Sequence, residues 1–281
     1  MANFLSGFIP TNVVTAMVNE TLKKDLVFGN LIMNPTIPGQ LTPGASYKIP
    51  SVGSITVNNY TGADIDLQDV TDSSIALTVD QQKYFNINVD KVDSMQQAKS
   101  LLPLFTAEAA YELASTEDTY IAATLSAGAA INNASIFGAA AAQALDETNI
   151  IEWIGEVKTA YDKANVSKAG RFLVLPPFAE TALASANVVT AATVAEAART
   201  TGYLRNFFGF DLYMSNSLPV DTEEYQAIAG INRSGAIIHS VQEIEFYKPE
   251  KRFSAAAKGL NVYGAKVLRA DATASLKISK A

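Results

Sequence analysis

The sequence predicts an α+β fold, and three observations indicate it. Between Ile75 and Val89 the apolar residues fall at odd positions, an alternation typical of a strand with one buried face. From residue 101 to 125 the apolar spacing becomes helical. Residues 146–239 then mix helical segments with short apolar runs. A long strand, a long helix and a mixed block together predict an α+β protein.

The long strand predicts a ribbon that leaves the body of the protein. Sixteen residues, 75–90, would span roughly 50 Å as one strand at about 3.3 Å each, which exceeds most strands of compact domains. Shorter strands are predicted at 46–50 and 55–60, before a polar, turn-rich segment. We therefore interpret 46–90 as a two-stranded excursion with an acidic tip. Its apolar side should rest on another surface, because an isolated ribbon is marginally stable.

The helix that follows contains Pro103, which a helix interior does not accept without a kink. Either a kink lies there or a new helix begins with Pro103 in its first turn. Upstream, residues 1–45 are punctuated by Gly and Pro and predict an arm. A short helix is expected at 13–22, capped by Thr11 or Asn12, and the arm should pack on something else, such as a neighbouring subunit.

The remaining elements are predicted from short apolar runs and their end signals. The alanine-rich segment 122–144 predicts a connector with short helical pieces. A helix should start after Asp146 or Thr148 and a second at Pro177, with a surface loop at 187–202. Strands are predicted at 171–175, 207–216, 225–230, 244–247, 259–267 and 274–278.

Composition excludes several classes of protein. Of the 281 residues 48% are hydrophobic and 17% charged, which are globular values. No apolar run approaches the ~20 residues of a membrane span, and the N-terminus lacks signal-peptide features. Cysteine is absent, which excludes disulfides and thiol chemistry and is typical of folding in a reducing cytoplasm.

Charge is unevenly distributed along the chain. The net charge is −7, yet residues 248–281 hold eight basic and two acidic residues, so this tail carries +6 and the remainder −13. Residues 49–82 contain five aspartates and no Lys or Arg. The acidic total argues against a dedicated DNA-binding protein.

No catalytic, cofactor or metal site is predicted. His239, the only histidine, lies in an apolar context and favours a structural role over that of a catalytic base. Asp64 and Asp66 favour a solvated tip over a metal site, and Trp153 favours packing. Phosphate-binding glycine motifs are absent. Aromatic residues alternate with basic ones near the C-terminus, as in single-strand nucleic-acid binding, but sheet core is the favoured interpretation; these are Phe246, Tyr247, Phe253 and Tyr263.

Four segments in order resemble the major capsid proteins of tailed bacteriophages of the Hong Kong 97 type. They are 83–93, 169–177, 209–219 and 259–267. The resemblance implies a Hong Kong 97-like capsid fold with an N-terminal arm, an extended two-stranded loop, a long spine helix at 92–126, a peripheral domain and an axial domain. The implied bounds are 1–45 for the arm, 46–83 for the loop, 84–145 with 240–281 for the peripheral domain and 146–239 for the axial domain.

The resemblance also implies a structural function without an enzyme activity or cofactor. Copies of the chain would form hexamers and pentamers of an icosahedral virion shell around double-stranded DNA, assembled in the host cytoplasm without a membrane. Portal and decoration proteins are expected partners. Only 45 residues precede the first strand, so a separate scaffolding protein is expected. No Lys lies between Lys48 and Lys83, so the lysine–asparagine cross-link of some relatives is not expected.

The charge asymmetry suggests a contact between subunits. The acidic loop of one subunit is expected near the basic peripheral segment of the next; the residues are Asp64, Asp66, Asp69 and Asp72 on the loop, and Lys248, Lys251, Arg252 and Lys258 on the segment. Two alternatives stay open. One is an encapsulin-type bacterial compartment shell, and the other is a small-ligand-binding α/β protein with the 187–202 loop over its site.

Overall fold

The computed structural model describes residues 26–32, 46–52, 59, 72–90, 102–186, 203–250 and 254–281. The strands are β1 Ser46–Val52, β2 Asp72–Thr78, β3 Gln81–Asp90, β4 Ile131–Asn132, β5 Gln143–Leu145, β6 Arg171–Leu175, β7 Tyr203–Phe207, β8 Phe210–Met214, β9 Val220–Asp221, β10 Glu224–Ile231, β11 Gly235–Tyr247, β12 Ser254–Val267 and β13 Ala274–Lys280. The helices are α1 Phe28–Leu31, α2 Leu102–Ala127, α3 Asn133–Phe137, α4 Ile150–Lys163 and α5 Pro177–Ser185, with a 3₁₀ turn at Ala270–Ala272.

The largest sheet has the order β4-β13-β10-β6-β8-β7, with β5 also beside β13 and β9 beside β10. All five residues of β6 are buried, as its apolar run predicts, because both faces of the sheet are covered. Leu173 and Leu175 pack in the core with α4 and α5. Phe172 and Val174 pack in a second core with α1 and α2.

A three-stranded antiparallel sheet, β11-β12-β3, lies along α2. Tyr120 of α2 packs edge-on against Tyr263 of β12, with 5.5 Å between ring centroids. Helix α2 carries Pro103 in its first turn, which confirms one of the two predicted arrangements. The predicted helical residues 92–101 lie outside the described ranges.

The prediction of one continuous strand at 75–90 was wrong, although the predicted alternation of apolar residues at odd positions is confirmed. Strand β2 pairs with β1, whereas β3 pairs with β12, and the chain passes between the two sheets at Val79 and Asp80. The break between β2 and β3 follows from core packing, because Leu77 and Val79 are buried in a third core with Ala236, Ile238 and Val262. The even-numbered residues from 74 to 88 are exposed, and the apolar odd-numbered residues from 75 to 87 are buried or half-buried, so the predicted alternation holds across both strands.

Two further predictions need correction. The segment 207–216 is not one strand, because Phe208 (φ 51°) and Gly209 (φ 84°) turn the chain between β7 and β8. The connector at 122–144 includes the end of α2 and the short helix α3, but also β4 and β5. These two strands are too short to give an alternating pattern, and pairing with β13 stabilises them.

The C-terminal strand connects two parts of the chain that the sequence division separates. Strand β13, assigned to the peripheral domain, pairs with β10 of the axial block. Its hydrogen-bonding partners are remote in sequence, so no local pattern indicated them. The helix predicted at 13–22 and the loop at 187–202 lie outside the described residues, as does the strand at 55–60 apart from Asn59.

Candidate assembly interface

A two-stranded ribbon forms the first part of the candidate interface. Strands β1 and β2 are antiparallel, with Ser46 opposite Thr78 at the base and Val52 opposite Asp72 at the outer end. At the base, a Cβ atom on Gly264 would lie 1.9 Å from the Thr78 carbonyl oxygen. Glycine at this position therefore allows the ribbon to leave the body directly over β12.

Of the eight residues of the predicted inter-subunit contact, Asp72, Lys248 and Lys258 lie within the described ranges. Asp64, Asp66, Asp69, Lys251 and Arg252 lie outside the described ranges. Asp72 is described only by its backbone, at the outer end of the β1–β2 pairing. Lys248 is exposed.

Lys258 already has a partner within its own chain. Its ammonium group lies 2.8 Å from Glu245 Oε2, and it sits 5.3 Å from the centroid of the Tyr247 ring. The hydrogen bond and the charge of Glu245 raise the pKa of Lys258 above its ordinary value. Both side chains are about half exposed, so a partner subunit could still compete for this pair.

Apolar side chains are exposed at the outer end of the β11-β12-β3 sheet, and the sequence pattern did not predict their exposure. Tyr84 is 79% exposed, Phe246 62%, Ile244 49% and Leu260 39%. Tyr84 is opposite Leu260 across the β3–β12 pair, so the two share one face. Apolar surface concentrated at one end of a sheet is typical of an interaction surface. Ile244 and Phe246 are opposite Gly259 and Ala257 of β12, so they lie on the other face, and both faces expose apolar side chains at this end.

The same sheet rules out a base-stacking platform built from all four of the predicted aromatic residues. Tyr263 is fully buried, so its ring cannot meet a base, and Phe253 lies outside the described ranges. Burial raises the pKa of Tyr263 to about 12, with a further contribution from the Glu117 carboxylate.

The N-terminal segment is anchored to the centre of α2. Phe28 is fully buried, and its backbone N–H donates a hydrogen bond of 2.8 Å to Asp118 Oδ1. Burial raises the pKa of Asp118, while hydrogen bonds from Ser217 and from the backbone of Phe28 and Gly29 act against this shift. Residues 26–32 are therefore fixed on α2.

His239 links the sheet to α2, and this position supports its predicted structural role. Its Nε2 lies 3.4 Å from Glu117 Oε1, and the Asn261 side chain donates to Glu117 Oε2 at 2.8 Å. The register of β11 with β12 shifts just after His239. Trp153 is buried and stacked on Phe137, which confirms packing for this residue.

Within the described ranges, no group of three or more His, Cys, Asp or Glu could hold a metal ion. Among the same residues, none of the helices has the length and apolar character to span a membrane. The features that remain are contact surfaces: a projecting ribbon, an exposed apolar sheet end and an anchored N-terminal segment.

Comparisons with known proteins give one family match and many structural matches. A family described as "Phage capsid protein" matches residues 72–278. Among solved structures, one of Mycobacterium phage Che8 is 24% identical, with a TM-score of 0.75 and 98% of each chain covered. The capsid of cyanophage P-SCSP1u is 16% identical, with a TM-score of 0.71, over 100% of this chain and 93% of that one. A search of curated protein sequences finds no match.

Proposed function

The chain belongs to the phage capsid protein family and is a structural major capsid protein, and we propose that its copies self-assemble into the icosahedral head of a tailed double-stranded DNA phage. The Hong Kong 97-like fold predicted from the sequence is confirmed by the structural matches. No described feature favours the encapsulin or the small-ligand alternative.

The ribbon of β1 and β2 carries the proposal of self-assembly. In the described part of the chain this ribbon pairs with no third strand. An isolated two-stranded ribbon is marginally stable in water, so a second surface must cover it. A neighbouring subunit in a closed shell supplies that surface for every copy.

Each part of the fold has a proposed contact in the shell. Residues 1–45 would reach a neighbouring subunit as an arm, and 46–83 would lie across the next subunit as an extended loop. The peripheral domain, 84–145 with 240–281, would carry the contacts between rings, and the axial domain, 146–239, the contacts within a ring. Strand β13 would tie the two domains together, since it pairs with β10.

The acidic loop and the basic peripheral segment remain the proposed contact between neighbouring subunits. Opposite net charges on 49–82 and on 248–281 support the pairing. Single exposed ion pairs contribute only up to about 1 kcal/mol, but symmetry repeats each contact around the shell. Since Lys258 has Glu245 within its own chain, the contact would rest mainly on Lys248, Lys251 and Arg252.

Further partners are proposed from the family resemblance. A separate scaffolding protein would direct assembly in the host cytoplasm, and a portal would occupy one vertex. Decoration proteins would bind the outside, and packaged DNA would be contacted without sequence specificity. The acidic net charge supports weak contact with DNA, because a strongly basic lining would hold the phosphates tightly.

The test is sedimentation and negative-stain imaging of the purified full chain, with and without a candidate scaffolding protein. Closed shells or tubes of tens of nanometres are expected, and phage DNA within native shells would separate a phage head from an enzyme compartment. A species of one or two subunits under both conditions would contradict self-assembly.

A further inference from the structure

Strand β10 ends in two turns of opposite charge. The turn before it, here called the acidic turn, contains Asp221, Glu223 and Glu224. The turn after it contains Arg233, and backbone hydrogen bonds join this turn to the loop that carries Lys168 and to the residues after the end of β12, which carries Lys266. These three cations are here called the basic junction. One rigid strand therefore holds an acidic and a basic surface apart.

Backbone hydrogen bonds join the three segments of the basic junction. The N–H of Asn232 donates to the Gly170 carbonyl at 2.8 Å, next to Lys168 in sequence. The N–H groups of Leu268 and Arg269 donate to the Ser234 carbonyl at 2.8 and 3.0 Å. Lys266 is opposite Ala236 in the β11–β12 pair. The backbone segments that carry these three cations are therefore neighbours in the fold.

The positive charge of the basic junction is not compensated locally. Lys168, Arg233 and Lys266 are exposed, and none forms an ion pair with another described residue. The neighbouring Arg269 lies 3.5 Å from Asp271, so this pair adds no net charge. Arg233 also has φ 71°, in a turn closed by the Ser234 N–H and the Ile231 carbonyl. Glycine would adopt this backbone at lower cost.

The acidic turn has the complementary charge and is equally fixed. Asp221 and Glu224 are opposite each other, and Thr222 (φ 47°) and Glu223 (φ 74°) form the two-residue hairpin loop between them. Asp221 and Glu223 are exposed. Glu224 lies 3.9 Å from Lys277, so it is partly compensated.

The two surfaces cannot meet within one copy. Eight residues of β10 separate them by about 24 Å, and pairing with β6 and β13 keeps this strand extended. A contact between them therefore requires two copies, and it joins different surfaces on each. Head-to-tail contacts of this kind close into rings when the rotation between copies permits.

We propose that the acidic turn of one copy binds the basic junction of the next, and that this contact closes the capsid rings. The inference rests on the proposed shell function. A second copy is favoured over DNA because each copy supplies both charges in fixed geometry, whereas the net charge of −7 repels a polyanion.

Charge reversal tests the contact in the full chain, under the conditions in which the wild type assembles. Combining Lys168→Glu with Arg233→Glu should raise the subunit concentration for half-maximal ring formation by about tenfold or more, measured by sedimentation velocity. Adding Asp221→Lys and Glu223→Lys should restore much of the loss.

Arg233→Gly distinguishes the loss of a positive charge from a loss of folding stability. It relieves the positive φ, so the melting temperature should stay equal or rise while ring formation weakens. Normal ring formation by the reversed variant, or no restoration by the added lysines, would overturn the inference while leaving the shell function intact. If the charge-reversed variant lost duplex DNA binding but formed rings normally, the basic junction would be a DNA contact, and the inference would be overturned as well. Failure of the wild type to assemble would contradict the proposed function itself.

Discussion

The Asp118 carboxylate accepts a hydrogen bond of 2.8 Å from the backbone N–H of Phe28, ninety residues earlier in the chain. Both residues are buried. This contact helps to fix residues 26–32 on α2, and Phe28 completes a core that also contains Ile121, Leu125 and Ile237.

Replacing Asp118 with Ala should lower the free energy of unfolding by about 1–3 kcal/mol, because buried backbone N–H groups lose their acceptor. Asp118→Asn keeps an acceptor oxygen and should cost less. The two free energies can be measured by urea unfolding. Equal stability of the wild type and the Ala variant would show that the contact does not anchor the segment.

The pH dependence of the same residue has a definite sign. The folded-state pKa of Asp118 is raised above its ordinary value of 3.8, so the folded state takes up a proton first as pH falls. Relative to neutral pH, this group therefore adds stability as pH falls through the folded-state pKa. Asp118→Asn should lack this gain, and urea unfolding at several pH values would detect it. An unchanged pH profile would contradict the raised pKa.

Arg171 joins α4 to β6 from a buried position. Its Nη2 lies 2.8 Å from Asp162 Oδ1 and donates to the Val166 carbonyl at 2.6 Å. Arg171→Met should cost about 3 kcal/mol, because the carboxylate and the carbonyls lose a buried donor. Lys158→Met removes the exposed partner of Asp162 and should cost far less, so comparable losses would contradict this account.

The hydrogen bonds from Lys158 and Arg171 lower the pKa of Asp162. The stability that Asp162 contributes is therefore lost as pH falls through its folded-state pKa, whereas Asp118 adds stability as pH falls.

Gly264→Ala should detach the base of the ribbon, because the new Cβ would overlap the Thr78 carbonyl oxygen. We expect a loss of about 2 kcal/mol or more and impaired assembly. Gly155→Ala is the matched control. It has nothing within 4 Å of the new Cβ and lies inside α4, so it should stabilise the fold by about 0.5–1 kcal/mol. Hydrogen exchange in β1 would show whether only the first variant frees the ribbon.

Reversing Lys251 and Arg252 to Glu should impair assembly if the acidic loop binds the basic peripheral segment. Adding Asp69→Lys should partly restore it, because the charges are then exchanged. Light scattering at low ionic strength, where screening is weakest, gives the clearest comparison. Normal assembly of the reversed variant at low salt would show that this proposed contact is wrong.

Mature shells should not be covalently cross-linked, since no Lys lies between Lys48 and Lys83. Boiling in detergent should return one band near the chain mass of 29.9 kDa on a denaturing gel. A ladder of higher bands would refute the prediction.

The sequence by itself determined the features that depend on neighbouring residues. The odd-position alternation assigned the buried face at Leu77 and Val79, and Pro103 indicated the start of α2, because side-chain period and backbone sterics act locally.

Only the tertiary structure decided which strands pair and which surfaces stay open. The sheet change at Val79, the partnership of β13 with β10 and the pairing of Lys258 with Glu245 depend on contacts between segments far apart in sequence or on neighbouring strands. The opposite charges at the two ends of β10 likewise become a pair of surfaces only once the sheet fixes their separation. Local periodicity carries no information about such contacts, because the folded core selects them.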